Sequence, residues 1–166
     1  MADTIKIAVC DDEKNIRSYL VSLIKRQNIQ CSITEYASAD AYLSDGKEHD
    51  LIFLDIEMGC FGAGLDGMGL ARHIRGMGAQ KQPVIIFVTG YEKYVYDAFD
   101  VGAFQYLVKP VDEQKFAEVF VRAAGQFYRI HRGYLINLFH VERYDRTEVR
   151  MANGDKLLFC GRQFSV

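Results

Sequence analysis

No stretch of this chain of 166 residues approaches the 18 or so consecutive apolar residues that a bilayer-spanning helix needs, so no membrane span is expected. No secretory leader is expected either, because Met1 to Lys6 runs directly into a strand-like segment, and a cytoplasmic protein is expected. Only four cysteines occur (Cys10, Cys31, Cys60, Cys160), without metal-ligand spacing, and in a reducing compartment they are expected as free thiols with no assigned function. His49, His73, His131 and His140 likewise lack a clustered or i, i+4 arrangement, and are read as surface or satisfied histidines.

What is present is the composition of a globular protein, with 49% hydrophobic and 25% charged residues in 18.9 kDa. That length suits one well-cored domain plus an appendage. Charge is uneven. Residues 126 to 166 carry seven Lys or Arg against four acids, a net +3, which leaves −5 on residues 1 to 125 of the whole-chain −2. An acidic body with a basic tail permits a nucleic-acid role for the tail.

Two periods alternate along the body. Apolar runs at 5 to 10, 31 to 36, 51 to 54, 84 to 88 and 104 to 108 predict five strands. Helical patterns lie between them. The clearest, over about 13 to 27, places Ile16, Tyr19, Leu20, Leu23 and Ile24 on one face. Leu70, Ala71 and Ile74 mark the third helix, Ala98, Phe99 and Val101 the fourth, and Phe116, Val119, Phe120 and Ala123 the fifth. Strict alternation predicts a parallel sheet flanked by helices, an α/β fold in three layers.

Ligands of such sheets lie beyond the carboxyl ends of the strands. Those ends deliver Asp11 and Asp12 after the first strand, Asp55 after the third, Thr89 after the fourth and Lys109 after the fifth. Any one of these is ordinary as a cap or turn residue; the conjunction is not. Gathered carboxylates raise one another's pKa unless a cation holds them ionised, and an all-oxygen set suits Mg²⁺ rather than zinc. With Mg²⁺ and Lys109 neutralising oxygens and Thr89 donating a hydrogen bond, Asp55 is placed to attack a phosphoryl group and carry it.

The segments VCDDE (9 to 13), LIFLDIEM (51 to 58), VTG (88 to 90) and YLVKP (106 to 110) resemble the receiver domain of two-component response regulators over about residues 4 to 125. The resemblance implies a CheY-like fold in which Asp55 accepts phosphate from a sensor histidine kinase. It implies Asp11, Asp12 and the backbone carbonyl of Glu57 as further Mg²⁺ ligands. Lys109 would pair with the acyl phosphate, Thr89 would swing toward it, and Tyr106 would follow Thr89. Lys109 followed by Pro110 fits the family's cis peptide bond. The loop after the third strand departs from the family: it lacks the usual proline and reaches Asp66 and Gly67 late. GAGLDG (62 to 67) satisfies GxGxxG, but it follows the third strand rather than the first and lacks an acid to hold a ribose, so a loop is the reading.

Beyond Gly125 the period changes. TEVRMANGDKLLFC (147 to 160) alternates around Asn153 and Gly154, predicting a type I′ hairpin, and 139 to 144 offers a neighbouring strand. Residues 127 to 164 resemble the later part of a LytTR DNA-binding domain, with its first half absent. The expected organisation is a receiver at 1 to 125 and a partial LytTR-like, antiparallel β segment at 126 to 166. The tail, short for independent folding, would dock on the receiver, pair with another copy through strand edges, or stay partly disordered. By the same resemblance Asn137 and Arg162 approach DNA.

The leading expectation is therefore a phosphorylation switch, not an enzyme, whose fourth helix, fifth strand and fifth helix change on phosphorylation and form a homodimer. Tyr91, Tyr94 and Tyr96 near that face read as interface aromatics or as ordinary amphipathic side chains. Two alternatives stand beside it. One is an Mg²⁺-dependent phosphohydrolase with an aspartyl-phosphate intermediate, whose acid spacing DDEKN does not match. The other is a DNA-binding transcription factor with a working output segment.

Overall fold

The computed structural model describes residues 4–59, 64–78, 82–131, 134–137, 141–144, 148–151, 154 and 156–158. The chain divides into two compact units, one of Thr4–Ala123 and one from Ala124 onward.

In the first unit, β-branched and aromatic runs form β1 (Ile5–Cys10), β2 (Cys31–Tyr36), β3 (Leu51–Leu54), β4 (Val84–Thr89) and β5 (Gln105–Val108). All pair in parallel in the order β2-β1-β3-β4-β5. The order reverses between β1 and β3, which makes the crevice above those two strands the place where such folds bind ligands.

The helices are α1 (Lys14–Arg26), α2 (Ala39–Asp45), α3 (Gly67–Gly76), α4 (Val95–Asp100) and α5 (Glu113–Ala124), with a short 3₁₀ turn at Glu92–Tyr94 before α4. Local chemistry sets their ends. Ser38 caps α2 by accepting from the Ala41 N–H at 3.1 Å, and Gly46 closes it with φ 63°, a conformation that favours glycine. Asp66 caps α3 through Gly69 N–H at 2.6 Å.

The central strands β3 and β4 are buried on both faces, the edge strands β2 and β5 only in part, and side chains alternate with period two. Ala8, Cys10, Ile52, Leu54, Ile85 and Phe87 join one core with Leu70, Ala71 and Ile74 of α3 and Ala98 of α4. On the opposite parity Phe53 stacks on Phe116 of α5, centroids 5.2 Å apart, and reaches Phe120 at 6.1 Å. Arg75 ties α3 to its neighbours. Its guanidinium donates to the carbonyls of Val101 (2.8 Å), Pro83 (2.9 Å) and Gly102 (3.3 Å) and to the Gln82 side chain (3.0 Å).

Two expected core positions differ. Phe99 is 75% exposed although Ala98 beside it is buried, because α4 is a six-residue helix with room for only one inward turn. Tyr19 lies at the edge of the α1 apolar face, 39% exposed, where its hydroxyl donates to the Val111 carbonyl at 3.0 Å. Lys109–Pro110 is a cis peptide. No helix among the described residues is long and apolar enough to cross a membrane.

In the second unit, β6 (Phe127–His131) pairs antiparallel with β7 (Tyr134–Asn137). β8 (Val141–Tyr144), β9 (Glu148–Met151) and β10 (Lys156–Leu158) form a separate antiparallel sheet in the order β10-β9-β8. Arg150 faces Lys156, whereas a two-residue loop at 153 and 154 would set Arg150 opposite Leu157. The I′ expectation is corrected by that one-residue offset. Gly154 at φ 91° fits the longer hairpin loops that place a glycine in the left-handed region. Asn153 lies outside the described residues.

Candidate functional site

The ends of β1, β3 and β5 feed side chains into the crevice, and the hydrogen bonds of the strand ends aim them. Asp55 follows β3, and its N–H donates to the Cys10 carbonyl at 2.8 Å, which locks the turn to the end of β1. Asp11 follows β1, with its N–H on the Tyr36 carbonyl at 3.1 Å. Lys109 follows β5, its N–H on the Thr89 carbonyl at 2.8 Å. Parallel register thus brings residues separated by up to about a hundred positions to one rim.

The side chains meet there. Lys109 Nζ lies 2.8 Å from Asp11 Oδ2, 3.1 Å from Asp55 Oδ2 and 3.5 Å from Glu13 Oε1. Carboxylate oxygens of Asp11, Asp12 and Asp55 all fall within 4.8 Å of one another. Asp11 and Asp55 are buried, 1% and 4% exposed, while Asp12 is exposed. Their second oxygens are held by backbone: Asp11 Oδ1 accepts from Glu13 N–H at 2.8 Å, and Asp55 Oδ1 from Glu57 N–H at 3.3 Å.

The electrostatics are those of a site short of positive charge. Burial raises the carboxyl of Asp55 above its ordinary value, Lys109 and the Glu57 N–H pull the other way, and Asp12 adds to the rise. Burial also raises Asp11, against its bonds to Lys109 and Glu13, with Asp55 adding repulsion. For Lys109, burial disfavours the ammonium, but the hydrogen bond with Asp11 and the charge of Asp55 outweigh it and hold the group above its ordinary value. Three carboxylates face one ammonium, and the residual repulsion calls for a second cation.

Of the other sequence-derived residues, Thr89 ends β4 wholly buried, and its Oγ1 has no hydrogen-bond partner among the described residues. A buried orphan hydroxyl costs free energy unless something arrives to accept from it. Tyr106, on β5, is partly buried and its hydroxyl donates to the Tyr91 carbonyl. Tyr91 is half exposed, Tyr96 is exposed, and Tyr94 packs on the core. Asn137 ends β7 opposite Phe127, and Arg162 lies outside the described residues. Cys10 is a buried free thiol whose pKa burial pushes up, as an inert core residue; Cys31 is also free.

Three residues join the site that the sequence reading did not nominate. Glu13 reaches Lys109. Gly67 meets the Asp55 backbone, with its N–H on the Ile56 carbonyl at 2.9 Å. Arg17 Nη1 donates to the carbonyls of Asp11 (2.7 Å) and Asp12 (3.2 Å). The late Asp66-Gly67 pair was the one signal for Gly67; a side chain that acts through backbone carbonyls leaves no motif.

A family model described as the response regulator receiver domain matches residues 7–120. The sensory transduction protein LytT of Bacillus subtilis is 32% identical over 113 residues, covering 67% of this chain and 44% of that protein. LytT of Oceanobacillus iheyensis is 35% identical over 114 residues, 68% of this chain and 45% of the relative. The chain thus spans less than half the length of these two relatives. Among solved structures, the response regulatory domain of protein mrkE from Klebsiella pneumoniae superposes with a TM-score of 0.65 at 27% identity, covering 73% of this chain and 96% of that one.

Proposed function

This chain belongs to the response regulator receiver family, and on that premise we propose that it is a phosphorylation switch in which Asp55 accepts a phosphoryl group from a sensor histidine kinase. The observation that carries the reading is the convergence, at the carboxyl ends of the strands, of carboxylate oxygens of Asp11, Asp12 and Asp55 within 4.8 Å of one another, with Lys109 Nζ 2.8 Å from Asp11 and 3.1 Å from Asp55.

The donor set fits a hard divalent cation. It offers oxygens alone, the two buried acids are raised by burial, and a single ammonium serves three carboxylates. Asp11, Asp12, Asp55 and the Glu57 carbonyl would hold Mg²⁺, which when bound supplies charge neutralisation to the phosphoryl oxygens. The chain's own groups do the rest. An Asp55 oxygen attacks phosphorus as the bond to the kinase imidazole breaks, and the imidazole takes a proton as it leaves. Lys109 moves from bridging Asp11 and Asp55 to pairing with the incoming negative charge. The orphan Thr89 hydroxyl gains an acceptor, and Tyr106 leaves the Tyr91 carbonyl as Thr89 turns.

On this reading the response is carried by α4, β5 and α5 and ends in a homodimer. The protein acts in the cytoplasm as a regulator that does not turn over a free substrate. The second unit is a partial LytTR-type output segment, with Asn137 and Arg162 facing DNA; the LytT relatives and the antiparallel strands from Phe127 onward support it.

The test is intact-mass analysis after incubation with a small acyl-phosphate donor and Mg²⁺. One hydroxylamine-labile phosphate adduct is expected on the wild type and none on Asp55→Asn. An adduct that persists in Asp55→Asn would sink the assignment.

A further inference from the structure

We propose that Arg17 is a positioning residue of the acidic site, setting its affinity for a divalent cation by clamping the carbonyls of Asp11 and Asp12 while Glu35 anchors its other edge. The inference rests on the reading that Asp11, Asp12 and Asp55 hold Mg²⁺.

Arg17 sits in the first turn of α1 with 13% of its side chain exposed. A single nitrogen, Nη1, donates to two consecutive carbonyls, Asp11 O at 2.7 Å and Asp12 O at 3.2 Å. Its Nε lies 3.4 Å from Glu35 Oε2 at the end of β2. The guanidinium therefore spans from the edge strand to the turn that carries both acids. Two carbonyls converging on one donor fix the curl of the backbone between β1 and α1.

That curl matters unequally to the two acids. Asp11 is independently fixed, its N–H on Tyr36 O, Oδ1 on the Glu13 N–H and Oδ2 beside Lys109. Asp12 is exposed, and its carboxylate comes within reach of the other two through the course of its backbone. Arg17 holds that course. Two edges of the planar guanidinium share the task, Nη1 bonded to both carbonyls and Nε within ion-pair range of Glu35 without a hydrogen bond; a point-charge ammonium does not offer two such edges.

Charge and position predict opposite signs, which makes the proposal decisive to test. A cation beside an acidic cluster repels an incoming Mg²⁺, so a guanidinium acting by charge alone weakens binding, and its removal tightens it. A guanidinium that orders the ligands strengthens binding, and its removal weakens it.

The experiment titrates the ¹⁵N-labelled full chain with MgCl₂ at fixed ionic strength and follows the amides of Asp12, Glu13 and Glu57. Arg17→Ala is expected to raise the dissociation constant by about tenfold. Arg17→Lys, which keeps the charge and loses the fork, raises it as well, and Glu35→Gln raises it by a smaller factor. Amide shifts of β3 and β4 report that each variant is folded; if Arg17→Ala is not, the Lys and Glu35 variants carry the test. An affinity in Arg17→Ala and Arg17→Lys equal to or tighter than wild type overturns the proposal while leaving the metal reading intact. A wild type without saturable shifts overturns both.

Discussion

A Cβ added to Gly67 would collide with the carbonyl oxygen of Asp55 and stand 2.7 Å from its carbonyl carbon and 2.8 Å from Ile56 Cα. The first residue of α3 thus packs directly on the backbone that presents the central carboxylate. Gly67→Ala must displace either α3 or the end of β3. Overpacking of this kind costs about 1–3 kcal/mol. A lower urea midpoint and slower phosphate uptake from an acyl-phosphate donor are expected; a variant as stable and as reactive as wild type would show that the close approach is relaxed without consequence.

Asp55→Asn should move stability the other way. Asp55 is 4% exposed beside two further carboxylates and one shared ammonium. Neutralising it removes repulsion while Lys109 keeps Asp11 at 2.8 Å and Glu13 at 3.5 Å. Without divalent cations and at low ionic strength, the variant should gain on the order of 1 kcal/mol over wild type. Added Mg²⁺ should narrow the gap by stabilising the wild type through binding. A variant destabilised under both conditions contradicts the charge argument.

The contrast between Gly67 and Asp55 marks what was legible in the chain. Strand ends could be nominated because runs such as 51 to 54 and 84 to 88 are apolar throughout, and alternation with helices fixes their direction. A polar residue at each end then has only one rim to occupy. Side chains that act on backbone were not legible. Arg17 serves carbonyl groups, which every residue carries, so no residue pattern announces it, and the late Asp66-Gly67 pair was the one signal for Gly67. Phe99 misled because hydrophobicity marks a helix face only when the helix runs long enough to have one buried side, and α4 has six residues. The hairpin at Gly154 was recognisable as a turn, but its register depends on loop length, which one residue changes.

His49 supplies a pH dependence of stability away from the acidic site. It is 5% exposed, its Nε2 lies 3.4 Å from the Tyr36 hydroxyl, and Tyr42 packs against it at 5.4 Å. Burial holds its pKa below the ordinary 6.5, against the opposing charges of Asp45 and Asp50. The unfolded chain therefore takes up a proton first as pH falls, and the native state is penalised from about 6.5 downward until the native histidine titrates. Urea midpoints should fall between about pH 7.5 and pH 5.5, with a slope of at most about 1.4 kcal/mol per pH unit from this group. His49→Phe should flatten that slope; an unchanged slope would assign it to other groups.

Thr89→Val separates the fold from the switch. The hydroxyl is wholly buried with no partner among the described residues, so the folded protein bears its desolvation without return. Valine keeps the branched shape that packs at the end of a buried strand and removes the orphan oxygen. Stability should rise by up to about 1 kcal/mol, where most buried substitutions lose it. Phosphate should still reach Asp55, since the nucleophile and Lys109 are untouched, but the acyl phosphate loses its hydroxyl donor. Tyr106 should then remain on the Tyr91 carbonyl when a stable phosphate mimic is added, which ring-proton NMR of Tyr106 reads directly. A Thr89→Val chain that is both less stable and normally switching would mean that the hydroxyl already has a partner in solution and that Tyr106 takes its cue from another group.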